Sequence, residues 1–381
     1  MAKWKAEMED RDEFRLGNTM ASVEITELTR SILAPATATE PRNMGADLVT
    51  LQDGRLLMGV SRWLGGSHDN DGSMVFGLIS DDSGRTWTDP FDIIRPDDHV
   101  EAVRMPNFLR LKDGRLACFC RYRTSMLDTW TGMIVCLDEE GLGKPGSGPD
   151  QWSAPRRISP PAPGRHVLLN SRVVRLRRSE YEGRILLPLA SPWPWEEEDW
   201  QGTDIRTWIL LSDDDGDTWR ASRSVLAGPE RGLMEPYIVE LHDGRLRMWM
   251  RTQVDTQYES VSEDGGITWS EATPGTLVSP ESPISVARHE ATGLLGVIWN
   301  HNRKGKHTAD RTPICIAFSE DGGASWFGKQ RLDPDPDLDN SGCSFSYPSI
   351  DFLGNRGFVT YYENRDHRLS LILRTFVLRP S

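Results

Sequence analysis

The segment Ser262-Glu-Asp-Gly-Gly-Ile-Thr-Trp269 is one of four copies of the pattern Ser-x-Asp-x-Gly-x-(Thr/Ser)-Trp in this chain. The other three copies begin at Ser80, Ser212 and Ser319, and each follows a short apolar run. The pattern suits a hairpin turn, because Asp can accept backbone N–H bonds, Gly can take a positive φ, and Trp can close the gap between strands. The turns lack the regular ligand spacing of an EF-hand, so we predict a structural role rather than calcium binding.

A second repeat alternates with the first. Its members are Asp53-Gly-Arg-Leu56, Asp113-Gly-Arg-Leu116, Glu182-Gly-Arg-Ile185 and Asp243-Gly-Arg-Leu246, with weaker copies around Gly293 and Gly354. The six glycines lie 49 to 69 residues apart, and each interval holds two turn signals and therefore about four strands. Six four-stranded units of this size predict an all-β fold, a six-bladed β-propeller of four-stranded antiparallel blades.

Two details extend this prediction. The unit without a clean Trp-containing turn is expected to carry an expanded hairpin near Leu137–Trp152, and an N-terminal strand is expected to pair with Leu371–Val377 to close the ring. We assign residues 1–29 to an N-terminal extension and residues 30–381 to a single propeller domain. A length of 381 residues with 38% hydrophobic residues is enough for one large core.

Composition limits the partners. The formal net charge of −13 argues against nonspecific binding to nucleic acid or to anionic lipid, so an anionic substrate would need a local arginine cluster. No stretch approaches the length of a membrane span, and the first 30 residues lack the apolar core of a secretory signal. We therefore expect a cytoplasmic protein, although an already removed signal would leave the same sequence. The five cysteines show no paired metal spacing and are expected to be buried thiols.

The repeated Trp-containing turns at blade spacing resemble the sialidase superfamily, specifically the bacterial sialidase-like proteins with BNR (Asp-box) repeats. A more specific likeness lies in Glu235-Pro-Tyr-Ile-Val-Glu240, which is followed across a tight turn by a strand ending in Arg251. The resemblance implies that Glu235 and Arg251 are site residues. Glu240 follows Glu235 by an odd number of residues, so it should point to the opposite face of the strand.

The C-terminal part of the resemblance supplies a nucleophile. Arg311 leads into the last Asp box, and Ser344-Phe-Ser-Tyr347 is similar to the strand that carries the nucleophilic tyrosine in sialidases. A tyrosine nucleophile suits a substrate with a carboxylate next to its anomeric carbon, because a neutral phenol is not repelled by that carboxylate. The resemblance therefore implies Tyr347 as nucleophile and Glu235 as its base.

The N-terminal matches leave alternatives. Arg42 is preferred as the third arginine because it lies in the first predicted blade, where sialidases carry an Arg-Ile-Pro motif. Arg104-Met-Pro matches that motif better in sequence but lies in the following blade. Arg42, Arg251 and Arg311 would then hold the substrate carboxylate. Asp71 is preferred as general acid, with Asp69 as the alternative.

Further substrate contacts are expected from Trp195, in an acidic Trp-rich loop, and from Tyr237. The sequence thus predicts a retaining exo-glycosidase that needs no metal or cofactor and acts on sialic acid or a related acidic sugar. Two alternatives stay open. One is a hydrolase or lyase of glycans that contain uronic acid, and the other is a noncatalytic glycan-binding propeller. The specific sugar, its linkage and the oligomeric state are not fixed by the sequence.

Overall fold

The computed structural model describes residues 23–125, 128–161, 164–194, 204–303, 311–333 and 343–380. Within these ranges the chain forms 25 β-strands and one 3₁₀ turn at Pro149–Gln151. The first ten strands are β1 (Val23–Thr26), β2 (Ser31–Ala34), β3 (Asn43–Thr50), β4 (Leu56–Trp63), β5 (Ser73–Ser80), β6 (Phe91–Ile94), β7 (Ala102–Arg110), β8 (Leu116–Arg123), β9 (Thr129–Val135) and β10 (Arg156–Ile158).

The next eight strands form two consecutive meanders. They are β11 (Val174–Arg175), β12 (Ile185–Trp193), β13 (Asp204–Ser212), β14 (Arg220–Ala221), β15 (Met234–Glu240), β16 (Leu246–Arg251), β17 (Thr256–Ser262) and β18 (Thr273–Val278). The last seven strands are β19 (Ser285–Arg288), β20 (Leu295–Asn300), β21 (Ile314–Ser319), β22 (Phe327–Asp333), β23 (Ser344–Leu353), β24 (Arg356–Arg365) and β25 (Arg368–Pro380).

The all-β propeller prediction is confirmed, with four-stranded antiparallel blades as its unit. Strands β11–β14, β15–β18 and β19–β22 each form one sheet of four consecutive strands. A fourth sheet contains β23, β24 and β25 together with β1 and β2. Each blade buries large side chains against its neighbours, including the fully buried Trp208, Trp249 and Trp299.

The number of separate sheets differs from the six predicted. Besides the four sheets of blade size, the described residues form one eight-stranded sheet from β3 to β10. Its two halves, β3–β6 and β7–β10, are each antiparallel meanders, and one parallel pair, Ser73 with Ala102, joins them through β5 and β7. The Ser73 hydroxyl strengthens this junction by donating to the Val103 carbonyl at 3.1 Å.

The terminal strands close the structure as predicted. β2 pairs with β25 through Ser31–Leu373, and β1 pairs with the end of the same strand through Val23–Pro380. β1 precedes residue 30, at which the predicted domain begins, and still belongs to this sheet. The last sheet is therefore built from both ends of the described chain.

The two repeats occupy one end of the blades. Asp-Gly-Arg turns join the first and second strands of a blade, as at Asp243 between β15 and β16, where Gly244 has a φ of +84°. Trp-containing turns join the third and fourth strands. In the turn ending at Trp269, Asp264 accepts bonds from the Thr268 N–H and hydroxyl, and the indole N–H donates to Gly266 at 3.1 Å. Between β9 and β10 the chain has no such turn and forms the 3₁₀ turn instead, which confirms the expanded hairpin.

Candidate active site

A cavity of about 750 Å³ lies at the opposite end of the blades, where inner strands and the loop between β4 and β5 meet. Among the described residues, six arginines, three acidic residues and two tyrosines contribute to its wall. They are Arg42, Arg121, Arg165, Arg231, Arg251, Arg311, Asp69, Glu235, Glu281, Tyr347 and Tyr362. None of the four Asp-box tryptophans lines it.

Strand irregularities place two central side chains in the cavity. Glu235 has a φ of +50° and Tyr347 a φ of +53°, and each precedes a proline at a register shift in the innermost strand of its sheet. Met105, also before a proline and with a φ of +59°, occupies the corresponding shift in β7. A bulge re-aims the side chain of the residue at which pairing is interrupted. A positive φ is costly for such residues, so the surrounding sheet must hold them in place.

Tyr347 and Glu235 are hydrogen-bonded to each other. The Tyr347 hydroxyl donates to Glu235 Oε1 at 2.9 Å, and Arg251 Nη1 donates to the other carboxylate oxygen, Oε2, at 2.8 Å. Each oxygen of Glu235 therefore has its own donor. The carboxylate is set to accept the phenolic proton without losing the arginine.

The ionisation of the pair follows from these contacts. Burial raises the pKa of the Glu235 carboxyl, but the charges of Arg251 and Arg311 and the bonds from Arg251 and Tyr347 bring it below its ordinary value. Burial and the negative charge of Glu235 raise the pKa of Tyr347. A neutral phenol thus faces an ionised carboxylate at neutral pH.

Glu281 organises the arginines on one wall of the cavity. Its carboxylate accepts hydrogen bonds from Arg231 Nη1 at 3.0 Å and from Gln253 Nε2 at 3.0 Å, and it forms an ion pair with Arg251 Nη2 at 2.9 Å. Its backbone carbonyl accepts from Arg311 Nε at 3.0 Å and Nη2 at 2.9 Å. One residue therefore fixes three guanidinium groups that face the same space.

Arg311 is further held against both tyrosines. Its Nη1 donates to the Tyr362 hydroxyl at 3.1 Å, and its guanidinium carbon lies 5.8 Å from the centroid of the Tyr347 ring. The structure thus brings Arg251, Arg311, Glu235 and Tyr347 together, as the sequence indicated.

Arg42 and Asp69 form the other side of the cavity. Arg42 Nη1 donates to Asp69 Oδ1 at 2.7 Å, and its guanidinium carbon lies 4.3 Å from the centroid of the Trp63 ring. Desolvation by the cavity walls raises the pKa of the Asp69 carboxyl. The charge and hydrogen bond of Arg42, together with the charge of Arg121, outweigh this effect and lower the pKa to about 2. Asp69 is the exposed member of the pair, with 71% of its side chain accessible against 12% for Arg42.

The preference for Asp71 over Asp69 is not supported by this geometry. Asp71 Oδ2 accepts from the His68 backbone N–H at 2.7 Å, so the carboxylate closes its own loop and does not line the cavity. Arg104, the alternative to Arg42, is buried behind the same loop and donates to the carbonyls of Asp69 and Asp71. Arg42 is therefore the arginine that reaches the cavity, and Arg104 supports the loop.

Tyr237, one of the predicted substrate contacts, is not part of the cavity wall. It lies in the hydrophobic core, with the Arg172 guanidinium carbon 4.3 Å from its ring centroid. Regular pairing of β15 resumes at Tyr237, after the register shift that releases Glu235, which explains why the two side chains separate. Trp195 lies outside the described residues.

Sequence reasoning missed several cavity residues, notably Arg121, Arg165, Arg231 and Glu281. They come from strand ends and loops of different sheets, and no shared motif marks them. A weak signal was the residue-proline pair shared by Met105, Glu235 and Tyr347, which marks inner-strand bulges.

No group of three or more His, Cys, Asp or Glu side chains in the described ranges is placed to hold a metal ion. Within the same ranges, no helix is long and apolar enough to cross a membrane. All five cysteines are buried, and none of them forms a disulfide.

Comparisons with known proteins agree with this fold. Residues 146–359, more than half of the chain, match the model of the BNR repeat-like domain. An anhydrosialidase of the leech Macrobdella decora is 33% identical over 109 residues, which are 28% of this chain and 13% of that protein.

Solved structures extend the likeness in fold. A Trypanosoma rangeli sialidase in complex with the inhibitor DANA superposes with a TM-score of 0.70 at 16% identity, covering 93% of this chain and 60% of that chain. A leech intramolecular trans-sialidase gives a TM-score of 0.69 at 15% identity, with coverage of 94% and 70%. This chain is therefore similar to less than two thirds of the trypanosomal sialidase chain. It is a sialidase-like protein with BNR repeats, and it belongs to the BNR repeat-like domain family.

Proposed function

We propose that this protein is a retaining exo-glycosidase that removes a terminal sialic acid or a related acidic sugar. The observation that carries the proposal is the hydrogen bond of 2.9 Å between Tyr347 and Glu235 inside a cavity lined by arginines. A nucleophile bonded to its base is the arrangement that covalent catalysis requires. The arginines supply the multidentate recognition that a carboxylate needs.

In the proposed first step, the Tyr347 oxygen forms a bond to the anomeric carbon while the bond from that carbon to the leaving oxygen breaks. The phenolic proton passes to Glu235, and Asp69 gives a proton to the leaving oxygen. In the second step, water replaces the tyrosine oxygen and gives its proton to Asp69, while Glu235 returns the proton to Tyr347. Two displacements at one carbon retain its configuration.

The general acid must be protonated before the first step, and the contacts of Asp69 indicate how. In the free protein, Arg42 keeps the pKa of Asp69 at about 2. A substrate carboxylate that binds Arg42 would weaken the pull of this arginine on Asp69, so the pKa of Asp69 would rise on binding. Arg42 would thus couple carboxylate recognition to protonation of the acid.

We also infer that the eight-stranded sheet supplies two of six blades. Each half is a four-strand meander with its own inner strand, β3 or β7, and each inner strand carries a bulge residue with positive φ, Gly45 or Met105. This symmetry with β15 and β23 supports a six-part arrangement around the cavity.

The proposed function is tested with a panel of chromogenic glycosides that covers sialosides and uronides, at pH 4 to 8. We expect release of the chromophore from at least one sialoside or related keto-acid glycoside, and none from neutral sugars. Turnover of uronides by elimination would favour a lyase instead. Binding of glycans without turnover of any glycoside would favour a noncatalytic protein.

A further inference from the structure

The cavity holds more positive charge than one carboxylate needs. Arg42, Arg251 and Arg311 account for recognition of a single carboxylate in the proposed function. Arg231 is engaged by Glu281 at 3.0 Å. Arg121 and Arg165 line the same cavity and are assigned to neither task.

Arg121 stands apart from the other cavity arginines in its contacts. Within the part of the chain that the structure describes, its guanidinium makes no hydrogen bond or ion pair, although the side chain is half-buried. Burial and the charge of Arg165 lower its pKa to about 10. Asp69 and Glu235 act on Arg121 only through their charge, so this guanidinium has no hydrogen-bonded acceptor among the described residues. Such a group is costly unless a ligand supplies an oxyanion that accepts its hydrogen bonds.

Strand pairing places Arg165 beside it. Arg121 of β8 pairs with Thr131 of β9, and Arg165 bridges to Thr129, two residues along the same strand. Paired residues on neighbouring strands share a face, and residues two apart on one strand share it as well. Both arginines therefore project from one face of the second half of the eight-stranded sheet.

The position of Asp69 indicates which part of a substrate would meet these arginines. Asp69 lines the cavity with them, and the charge of Arg121 contributes to its low pKa. In the proposed mechanism the general acid stands beside the leaving oxygen. The neighbouring arginines would therefore face the leaving group rather than the sugar that becomes attached to Tyr347.

From this geometry we infer that Arg121 and Arg165 form a second anion site, which binds an oxyanion on the leaving group of the substrate. The preferred substrate would then be an acidic sugar linked to another anionic residue, either a second acidic sugar or a sulfated sugar. The inference rests on the proposed function for the orientation of the substrate. The presence of the anion site itself can be measured separately.

The test compares three ligands with the same terminal sugar. Sialyllactose has a neutral leaving group, α2,8-linked disialic acid has a carboxylate there, and 6-sulfated sialyllactose has a sulfate. Affinities are measured by calorimetry in the Tyr347→Phe background, so that turnover does not consume the ligand. The Arg121→Gln change is then added to this background. Arg115→Gln serves as the control, because it removes an equal charge just before β8 begins, where Arg115 is exposed and paired with Asp113.

We expect Arg121→Gln to weaken binding of at least one of the two anionic-leaving-group ligands by about 10- to 100-fold, the value of a lost charge-assisted hydrogen bond. Binding of sialyllactose should change by less than about threefold, and Arg115→Gln should leave all three affinities unchanged. Arg121→Lys should restore part of the loss, because it keeps the charge but not the planar fork.

Equal losses for all three ligands would overturn the inference, since Arg121 would then serve the sugar carboxylate. Unchanged affinities for all three, or no measurable binding of any, would overturn it as well. Turnover by the wild-type protein is recorded in parallel. Selective binding without turnover would contradict the proposed function and leave the anion site standing, whereas turnover without the selective loss would do the reverse.

Discussion

The ionisation of Asp69 is the point at which a single residue controls the proposed chemistry. Its hydrogen bond of 2.7 Å to Arg42 keeps it ionised in the free protein, whereas a general acid must carry a proton. A ligand carboxylate that binds Arg42 would weaken its interaction with Asp69, so Asp69 could become protonated. Binding and protonation are then linked.

This linkage predicts proton uptake when an acidic sugar binds. At pH 5 the free Asp69 carboxyl is ionised, and a rise in its pKa above 5 on binding would take up to about one proton from solution. Calorimetry in buffers of different ionisation enthalpy measures that uptake. Asp69→Asn should abolish it, whereas Asp71→Asn should retain it, because Asp71 serves its own loop. Uptake that survives in Asp69→Asn would refute the assignment of the acid.

The sequence indicated the residues that carry local motifs and missed those that do not. Glu235, Tyr347, Arg251 and Arg311 lie in recognisable strand patterns, and the structure brings them together. Arg121 reaches the cavity only because separate strands converge there, which no local pattern records. The preference between Asp69 and Asp71 depended on loop geometry, where a shift of two residues exchanges a cavity carboxylate for a turn-forming one.

Among the elements, the Trp-containing turns link neighbouring sheets. Trp269 follows β17, yet its backbone N–H donates to the Ser224 hydroxyl at 2.9 Å, in the segment after β14. The ring is 8% exposed and packs with Leu176, Leu186 and other side chains of the preceding sheet. The repeat therefore joins one blade to the next at the end away from the cavity.

Trp269→Ala should accordingly lower the free energy of unfolding by about 3 to 5 kcal/mol, the usual cost of truncating a buried aromatic side chain. Turnover at temperatures well below unfolding should stay close to that of the wild type. Trp87→Ala is the matched control, because Trp87 ends the same turn in another blade but is only half-buried, so its loss should cost less. Denaturant unfolding and initial rates check both variants. Normal stability with lost turnover in Trp269→Ala would contradict this placement.

The repeats predicted the strands and turns well because both patterns encode local hairpin geometry. They did not predict the junction between β5 and β7. One parallel pair depends on how two meanders approach each other, and neither Ser73 nor Ala102 belongs to a repeat. Tyr237 was wrongly predicted as a substrate contact for a similar reason. The register shift next to Glu235 cannot be read from the alternation of apolar and polar residues in the strand.

On the scale of the whole molecule, the first and last inner strands meet where the ring closes, and each carries a buried carboxyl. Asp47 of β3 is 5% exposed and accepts from the Phe108 N–H at 2.5 Å, and burial raises its pKa to about 7. Burial and the neighbouring Asp47 raise the pKa of Asp351 of β23 as well. The folded state is therefore more stable when these two carboxyl groups are protonated.

This arrangement predicts a stability that depends on pH. A carboxyl with a folded pKa above its unfolded value contributes stability that is complete below about pH 4 and is lost as the pH rises through about 7. The melting temperature of the wild type should therefore fall between pH 5 and 8, and Asp47→Asn should flatten that decline because its amide does not ionise. Asp53→Asn, at an exposed turn, is the control. Parallel melting curves for the wild type and Asp47→Asn would show that Asp47 does not titrate in this range.

The central claim is that Tyr347 attacks the anomeric carbon with Glu235 as its base, and trapping of the covalent intermediate tests it most directly. The wild-type protein is incubated with 2,3-difluorosialic acid, followed by intact-mass measurement and peptide mapping, with Tyr347→Phe as control. We predict one sugar adduct per chain, on the peptide that contains Tyr347, and no adduct in Tyr347→Phe. An adduct on another residue, or the same adduct in Tyr347→Phe, would contradict the claim, as would a protein that turns over sialosides without forming any adduct.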